Sequence, residues 1–296
     1  MASTRVGSRP SAVRATRPSS RRRRRRRGAR AAVGPFVLLA VLSAVGGLVL
    51  DDREEAPTAV TGSHCTIPGT DVQLTTEQSA NAATIAAVAR SRGLPARATV
   101  IALATAQQES RIRNLDHGDR DSLGLFQQRP SQGWGTPEQV QDPVYAAGKF
   151  FDHLVEVPAW ETGRLTEVAQ TVQRSGFPEA YQQWEPMATA LAGALLATSP
   201  TALSCGYTPA ADPAPVADRT AALTEAVRRE AGTPTVEPDG VVSVAGAGWP
   251  EASWAVAHAE RFQLTSVAMD GWRWTPGGGW ETAPAYFALP LQLRLT

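Results

Sequence analysis

The sequence predicts a mainly α-helical domain with one small polar loop or hairpin, followed by a small α+β domain, both behind a single N-terminal transmembrane helix. Three observations carry this expectation. Apolar residues recur at helical spacing through much of 76–196, short β-type runs alternate with two helical patterns after residue 214, and 20 uncharged residues follow a basic tail. At 296 residues, with 43% apolar and 19% charged composition, the chain has room for about two domains with real cores. That composition excludes wholesale disorder and a polytopic membrane protein.

The net charge of +1 hides a split. Residues 1–30 hold 12 Arg and no acid, which leaves 17 basic against 28 acidic residues in 31–296, a net charge of −11 there. The stretch 31–50 carries no charge and as a helix would be about 30 Å long, enough to cross a bilayer. Its only basic flank is the Arg tail, so the positive-inside rule places 1–30 in the cytoplasm and everything after residue 50 outside. The chain is therefore expected in the cell membrane, single-pass, with its C-terminal domains extracytoplasmic. A cleaved signal with small residues at Ala44 and Gly46, giving a secreted protein, is the alternative. The run Arg21–Arg27 has no interleaved aromatics and no folded platform, so it reads as an orientation and lipid-facing segment rather than a nucleic-acid site.

Cys65 and Cys205 both fall in the part placed outside and are expected to pair. They frame a first domain at 65–207, reached by a stalk at 51–64. A Pro-rich linker at 208–213 then leads to a second domain at 214–296. Four His and two paired Cys make a poor metal set, so neither a metal nor any other cofactor is expected.

In the first domain, Thr75 and Gln78 form a candidate capping box for a helix that ends at Gly93. Leu94-Pro95 starts a second helix, apolar or small on nearly every side from Ala98 to Ala106, which marks it as buried. Glu109 ends that helix. Desolvation and the negative end of the helix dipole both disfavour its ionised form, which is how a general acid is made. Residues 111–129 then lose the helical period, and Leu123–Gln128 reads as a small hairpin or loop. Helical patterns resume at 143–154, 165–174 and 178–196.

Three stretches carry a resemblance to a known family: Ala102–Ser110 closing on Glu-Ser, Asp121–Gln128 with Gly-Leu-Phe-Gln-Gln, and Asp142–Leu154 with its Gly and aromatics. Together they resemble lytic transglycosylases and goose-type lysozymes over about residues 80–195, and most closely the lysozyme-like proteins of actinobacteria that are membrane-anchored or secreted. The resemblance implies a lysozyme-like fold in which Glu109 protonates the oxygen of a MurNAc-GlcNAc bond. Peptidoglycan glycan strands are then the partner, besides the membrane reached through one helix; no protein partner is implied. A lysozyme-type hydrolase normally uses a second carboxylate, and the candidates are Asp116, Asp119 and Asp121, each of which reads by default as a solvated turn residue. A transglycosylase needs only one, so the single-Glu reaction is expected, with a non-catalytic wall-binding or scaffold protein as the alternative. A transport accessory has no support, since one span cannot line a translocation path.

The same resemblance implies substrate contacts. Ser110 could position substrate or Glu109, or simply close its helix. One of Gln127 and Gln128 is expected in the cleft. Trp134 fits either a sugar face or the pinning of its own loop, and Tyr145 either a cleft or helix packing. The sequence also departs from the family, because 169–176 reads Ala-Gln-Thr-Val-Gln-Arg-Ser-Gly and lacks the Asn and Tyr of the family's corresponding segment.

In the second domain, helices are expected at 216–230 and 252–262 and strands at 241–244, 265–274 and 289–295, with Asp270-Gly as a turn signal. Five of the eight Trp lie between Trp249 and Trp280, where a small domain needs large aromatics for its core; a sugar-binding surface is the competing use.

Overall fold

A strand, β1 (His64–Thr66), opens the computed structural model, which describes residues 63–296. The basic tail, the expected span at 31–50 and nearly all of the stalk lie outside the described residues. Among the described residues no helix is long and apolar enough to cross a membrane.

The capping box at Thr75 and Gln78 is present. The Thr75 hydroxyl accepts the Gln78 N–H at 3.1 Å while the Gln78 side chain accepts the Thr75 N–H at 2.9 Å. It follows β2 (Gln73–Thr75) and starts α1 (Thr76–Ser91). Pro95 then stands just before α2 (Ala96–Ser110), where its missing N–H leaves no intrahelical bond unmade. Ala98 to Ala106 are buried throughout, because small side chains let neighbouring helices close on this one from every side. The short α3 (Pro137–Val140) precedes α4 (Pro143–Leu154), which starts at its Asp142 cap and has the bounds the sequence predicts. Next comes α5 (Leu165–Gln173), and Arg174 ends it in the left-handed conformation.

The helix expected at 178–196 begins only at Glu185, as α6 (Glu185–Leu195) after a 3-10 turn at Gln182–Trp184. Pro186 suits a first turn, and the chain before it is held in a loop by its bonds to Thr166 of α5. A three-stranded antiparallel sheet in the order β2-β1-β3, closed by β3 (Ser204–Gly206), went unpredicted because strands of three residues show no periodicity. Cys65 and Cys205 face each other across β1 and β3 and are disulfide-bonded, as the sequence predicts.

The C-terminal segment mixes helix and sheet. It contains α7 (Val216–Glu230), β4 (Pro234–Val236), β5 (Val242–Val244), α8 (Trp249–Ala257) and α9 (Ala259–Phe262). The strands β6 (Ser266–Met269), β7 (Trp272–Thr275), β8 (Gly279–Thr282) and β9 (Leu291–Arg294) complete an antiparallel sheet in the order β4-β5-β9-β6-β7-β8. The strand stretch expected at 265–274, with its Asp270-Gly turn signal, is a hairpin of β6 and β7. Asp270 and Gly271 both take positive φ, +46° and +80°, as a two-residue turn between paired Met269 and Trp272 requires. The helix expected at 252–262 starts at Trp249, where the Glu251 carboxylate accepts the Gly248 N–H at 2.6 Å, and breaks at His258.

All the described residues fall in one compact unit, and the exposed 208–213 stretch connects two segments that share a hydrophobic core. The tryptophans make the join. Trp274 donates to the Cys205 carbonyl at 3.0 Å and Trp280 to the Leu203 carbonyl at 2.9 Å. Of the five between 249 and 280, Trp249, Trp254, Trp274 and Trp280 are buried and Trp272 is partly exposed, so these side chains serve the core.

Candidate active site

The C-terminal end of α2 carries Glu109, half-buried, one residue before the helix stops. Arg111 and Ile112 follow, both left-handed, with φ of +55° and +57°. For the β-branched Ile112 this conformation is strained, and two side chains of α1 hold it in place. Gln78 donates to the Arg111 carbonyl at 2.8 Å and Asn81 to the Ile112 carbonyl at 2.9 Å. The helix that carries Glu109 is thereby stopped abruptly and turned into the polar loop.

Within that loop, Leu123 and Gln128 exchange two backbone hydrogen bonds, both of 3.0 Å, and Leu125 and Phe126 turn into the core. Phe126 stacks on Phe150 of α4 with ring centroids 4.6 Å apart. Gly124 has φ of +76°, and a Cβ there would sit 2.3 Å from the Val140 carbonyl oxygen, so this approach admits only glycine. The Phe126 carbonyl accepts from the Gln173 amide at 2.7 Å. Gln173 is thus oriented by the loop.

Two side chains favour the ionised form of the Glu109 carboxyl. The Tyr181 hydroxyl donates to Oε1 at 2.5 Å, and the Gln173 amide stabilises the charged form in the same sense. Burial outweighs them both and pushes the Glu109 carboxyl above the ordinary carboxylate range. Burial and the neighbouring Glu109 charge also push the Tyr181 phenol up, so it stays a proton donor at every physiological pH. Because Oε1 is occupied as an acceptor, a proton on Glu109 resides on Oε2.

Replacing Tyr181 by Phe removes a hydrogen bond made to the ionised form. The Glu109 pKa should then rise further, by up to about one unit for a bond worth roughly 1 kcal/mol net. Carboxyl-carbon NMR titration of both proteins checks this; a pKa that falls in Tyr181→Phe would show that the phenol does not donate to the carboxylate.

A groove of about 540 Å³ adjoins Gln173. Trp134, His153, Glu156, Val157 and Arg174 line it with Gln173, and the Trp134 indole packs against the His153 ring at 4.4 Å between centroids. Trp134 is therefore at the groove. Another groove of about 460 Å³, between Thr70–Leu74 and Met187, shares no residue with it.

The other expected site residues lie elsewhere or face inward. Ser110 is buried and its hydroxyl donates to the Leu125 carbonyl at 2.7 Å, so it ties α2 to the loop. Gln128 is also buried and its amide donates to the Ala146 carbonyl at 3.0 Å, clamping the loop on α4. Gln127 is partly exposed and braces the loop from within through the His117 and Gly124 carbonyls. Tyr145 packs against the Gly135 backbone.

None of the candidate second carboxylates is poised. Asp116 and Asp119 have side chains 90% exposed. Asp116 pairs with His117, which holds its carboxyl below the usual range. Asp121 accepts the Ser131 N–H at 2.8 Å and the Arg129 guanidinium at 2.9 Å, and these bonds push its pKa well down. It is a brace for the loop.

Gln173 and Tyr181 are not among the residues the sequence points to. The only signal was negative, the missing Asn and Tyr of 169–176; a tyrosine does reach the carboxyl, from five residues after Gly176. Comparison of the chain with protein-family models and with curated proteins finds no match.

Proposed function

We propose that this chain is a peptidoglycan-cleaving lytic transglycosylase that acts on the MurNAc-GlcNAc bond through Glu109 as sole acid and base. The observation that carries this reading is a half-buried carboxyl raised towards its neutral form and held at one oxygen by Tyr181, while Gln173, which favours its ionised form, stands in the wall of a groove that also holds a tryptophan. In this reading Oε2 of Glu109 gives its proton to the glycosidic oxygen as the bond to C1 of the muramic residue breaks. The carboxylate left behind, stabilised by Tyr181 and Gln173, takes the proton of the muramic 6-hydroxyl while that oxygen closes on C1. Glu109 ends protonated, as it began, and no enzyme carboxylate has to activate a water.

Helices arranged around a buried α2, with the polar loop folded beside its end, also suit the lysozyme-like arrangement that the resemblance implies. The same reading anchors the chain through 31–50 with its body outside the cytoplasm, where a disulfide persists and the glycan is found.

Incubating the purified full-length chain in detergent with peptidoglycan should release muropeptides ending in 1,6-anhydromuramic acid, identified by mass spectrometry. Reducing muramic ends would replace this reading with a lysozyme-type hydrolase. Binding to the glycan without release would make the protein a wall-binding module.

A further inference from the structure

We infer that Phe177 is a stacking platform for a pyranose ring of the bound glycan, an inference that rests on the glycan-cleaving reading above. The segment from Gln173 to Tyr181 runs from the groove wall, where the Gln173 amide donates to the Phe126 carbonyl, to Glu109, which the Tyr181 hydroxyl reaches. Phe177 stands midway, four residues from each end, so its Cα is at most roughly 14 Å from those of Gln173 and Tyr181. A polymer seated on Glu109 extends over that distance.

The loop is tied down on both sides of the ring. Gln170 donates to the Ser175 carbonyl at 2.8 Å and accepts the Ser175 hydroxyl at 3.0 Å, and the Ser175 oxygen accepts the Phe177 N–H at 3.3 Å. Thr166 donates to the Pro178 carbonyl, and Arg164 pairs with Glu179 at 3.1 Å. The Phe177 side chain is 76% exposed, more than any other large apolar side chain among the described residues. Its ring does nothing for the core, yet the backbone that carries it is tied down.

The pyranose face is a surface of C–H bonds rimmed by hydroxyls, and an aromatic ring covers such a face without needing to satisfy a hydrogen bond. An aromatic side chain with two rotatable bonds on a tied backbone also loses little conformational freedom on contact. Committing the occupant to the glycan follows from the continuity of this loop with the Glu109 carboxyl.

The test uses the full-length chain in detergent, with Phe177→Ala and Phe177→Trp. KM and kcat are measured on peptidoglycan, and co-sedimentation with purified sacculi is measured in the Glu109→Gln background. Phe177→Ala should raise KM about 3- to 10-fold with a smaller change in kcat and weaken sedimentation by a similar factor, and Phe177→Trp should restore both. The melting temperature should stay unchanged, since the ring is exposed.

Unchanged KM and sedimentation in Phe177→Ala would overturn the inference and leave the catalytic reading standing. So would loss of self-association in Phe177→Ala with glycan binding intact, which would assign the ring to an interface between copies. Wild-type protein that binds sacculi through Phe177 but releases nothing would leave the platform standing and remove the catalytic reading. Failure both to bind and to cleave removes both.

Discussion

Glu109→Gln should keep the fold and glycan binding while lowering the rate of glycan release by about 10³-fold or more, because an amide can neither give nor take the proton. The Gln carbonyl can still accept the Tyr181 hydroxyl, so the local packing is preserved. Asp116→Asn and Asp119→Asn should change the rate less than about 2-fold, since both side chains lie in solvent and substitutions at such surface positions have small effects. Asp121→Asn weakens the brace to Ser131 and Arg129 and should cost stability rather than chemistry.

A stability signature accompanies the loss of activity. Burial raises the Glu109 pKa above its unfolded value, so its contribution to stability is fully present below the unfolded pKa and is lost as pH rises through the folded one. Gln does not titrate. Glu109→Gln should therefore match the wild type in acid, apart from any pH-independent difference, and gain on it progressively towards neutral pH. Denaturant melts across that range check the sign; a variant that loses ground as pH rises would show that the native carboxylate is favoured by its surroundings. The kinetic test is equally direct, because near-wild-type release by Glu109→Gln would remove this residue from the chemistry.

Loss of the Cys65–Cys205 bond should be the largest single stability effect. The crosslink spans 140 residues of sequence, and on the loop-closure model its removal frees unfolded-state entropy worth about 4 to 5 kcal/mol. For a domain of this size that corresponds to a fall of roughly 10 to 20 °C in melting temperature. The two cysteines are partners in a sheet of three-residue strands, and neighbouring carbonyls at Leu203 and Cys205 receive the Trp280 and Trp274 indoles. A Cys65→Ser, Cys205→Ser double variant should therefore loosen the join with the C-terminal segment as well. Differential scanning calorimetry of reduced and oxidised protein measures the effect, and equal melting temperatures would refute it.

Sequence alone determined what short-range physics controls. The Thr75–Gln78 box, the Asp142 cap and the spacing of apolar residues set α1, α4 and α7, since each depends on residues within a turn or two of one another. Asp270-Gly271 marked its turn because positive φ has a side-chain cost that few residues avoid. Glu109 was legible because a helix buried on nearly every side ended on a carboxylate. Its partners were not. Tyr181 is 72 residues further on, in a loop without periodicity, and reaches the carboxyl only because α5 and α6 pack beside α2. Ser110, Gln127 and Gln128 carry the same donors whether they face a substrate or a backbone carbonyl, and tertiary packing decided for the carbonyl. The tryptophans were equally ambiguous as a list and became core once β7 and β8 closed against the chain beside Cys205. Caps and periods are written in neighbouring residues, whereas the proton-holding contacts of this site join segments that only the folded core brings together.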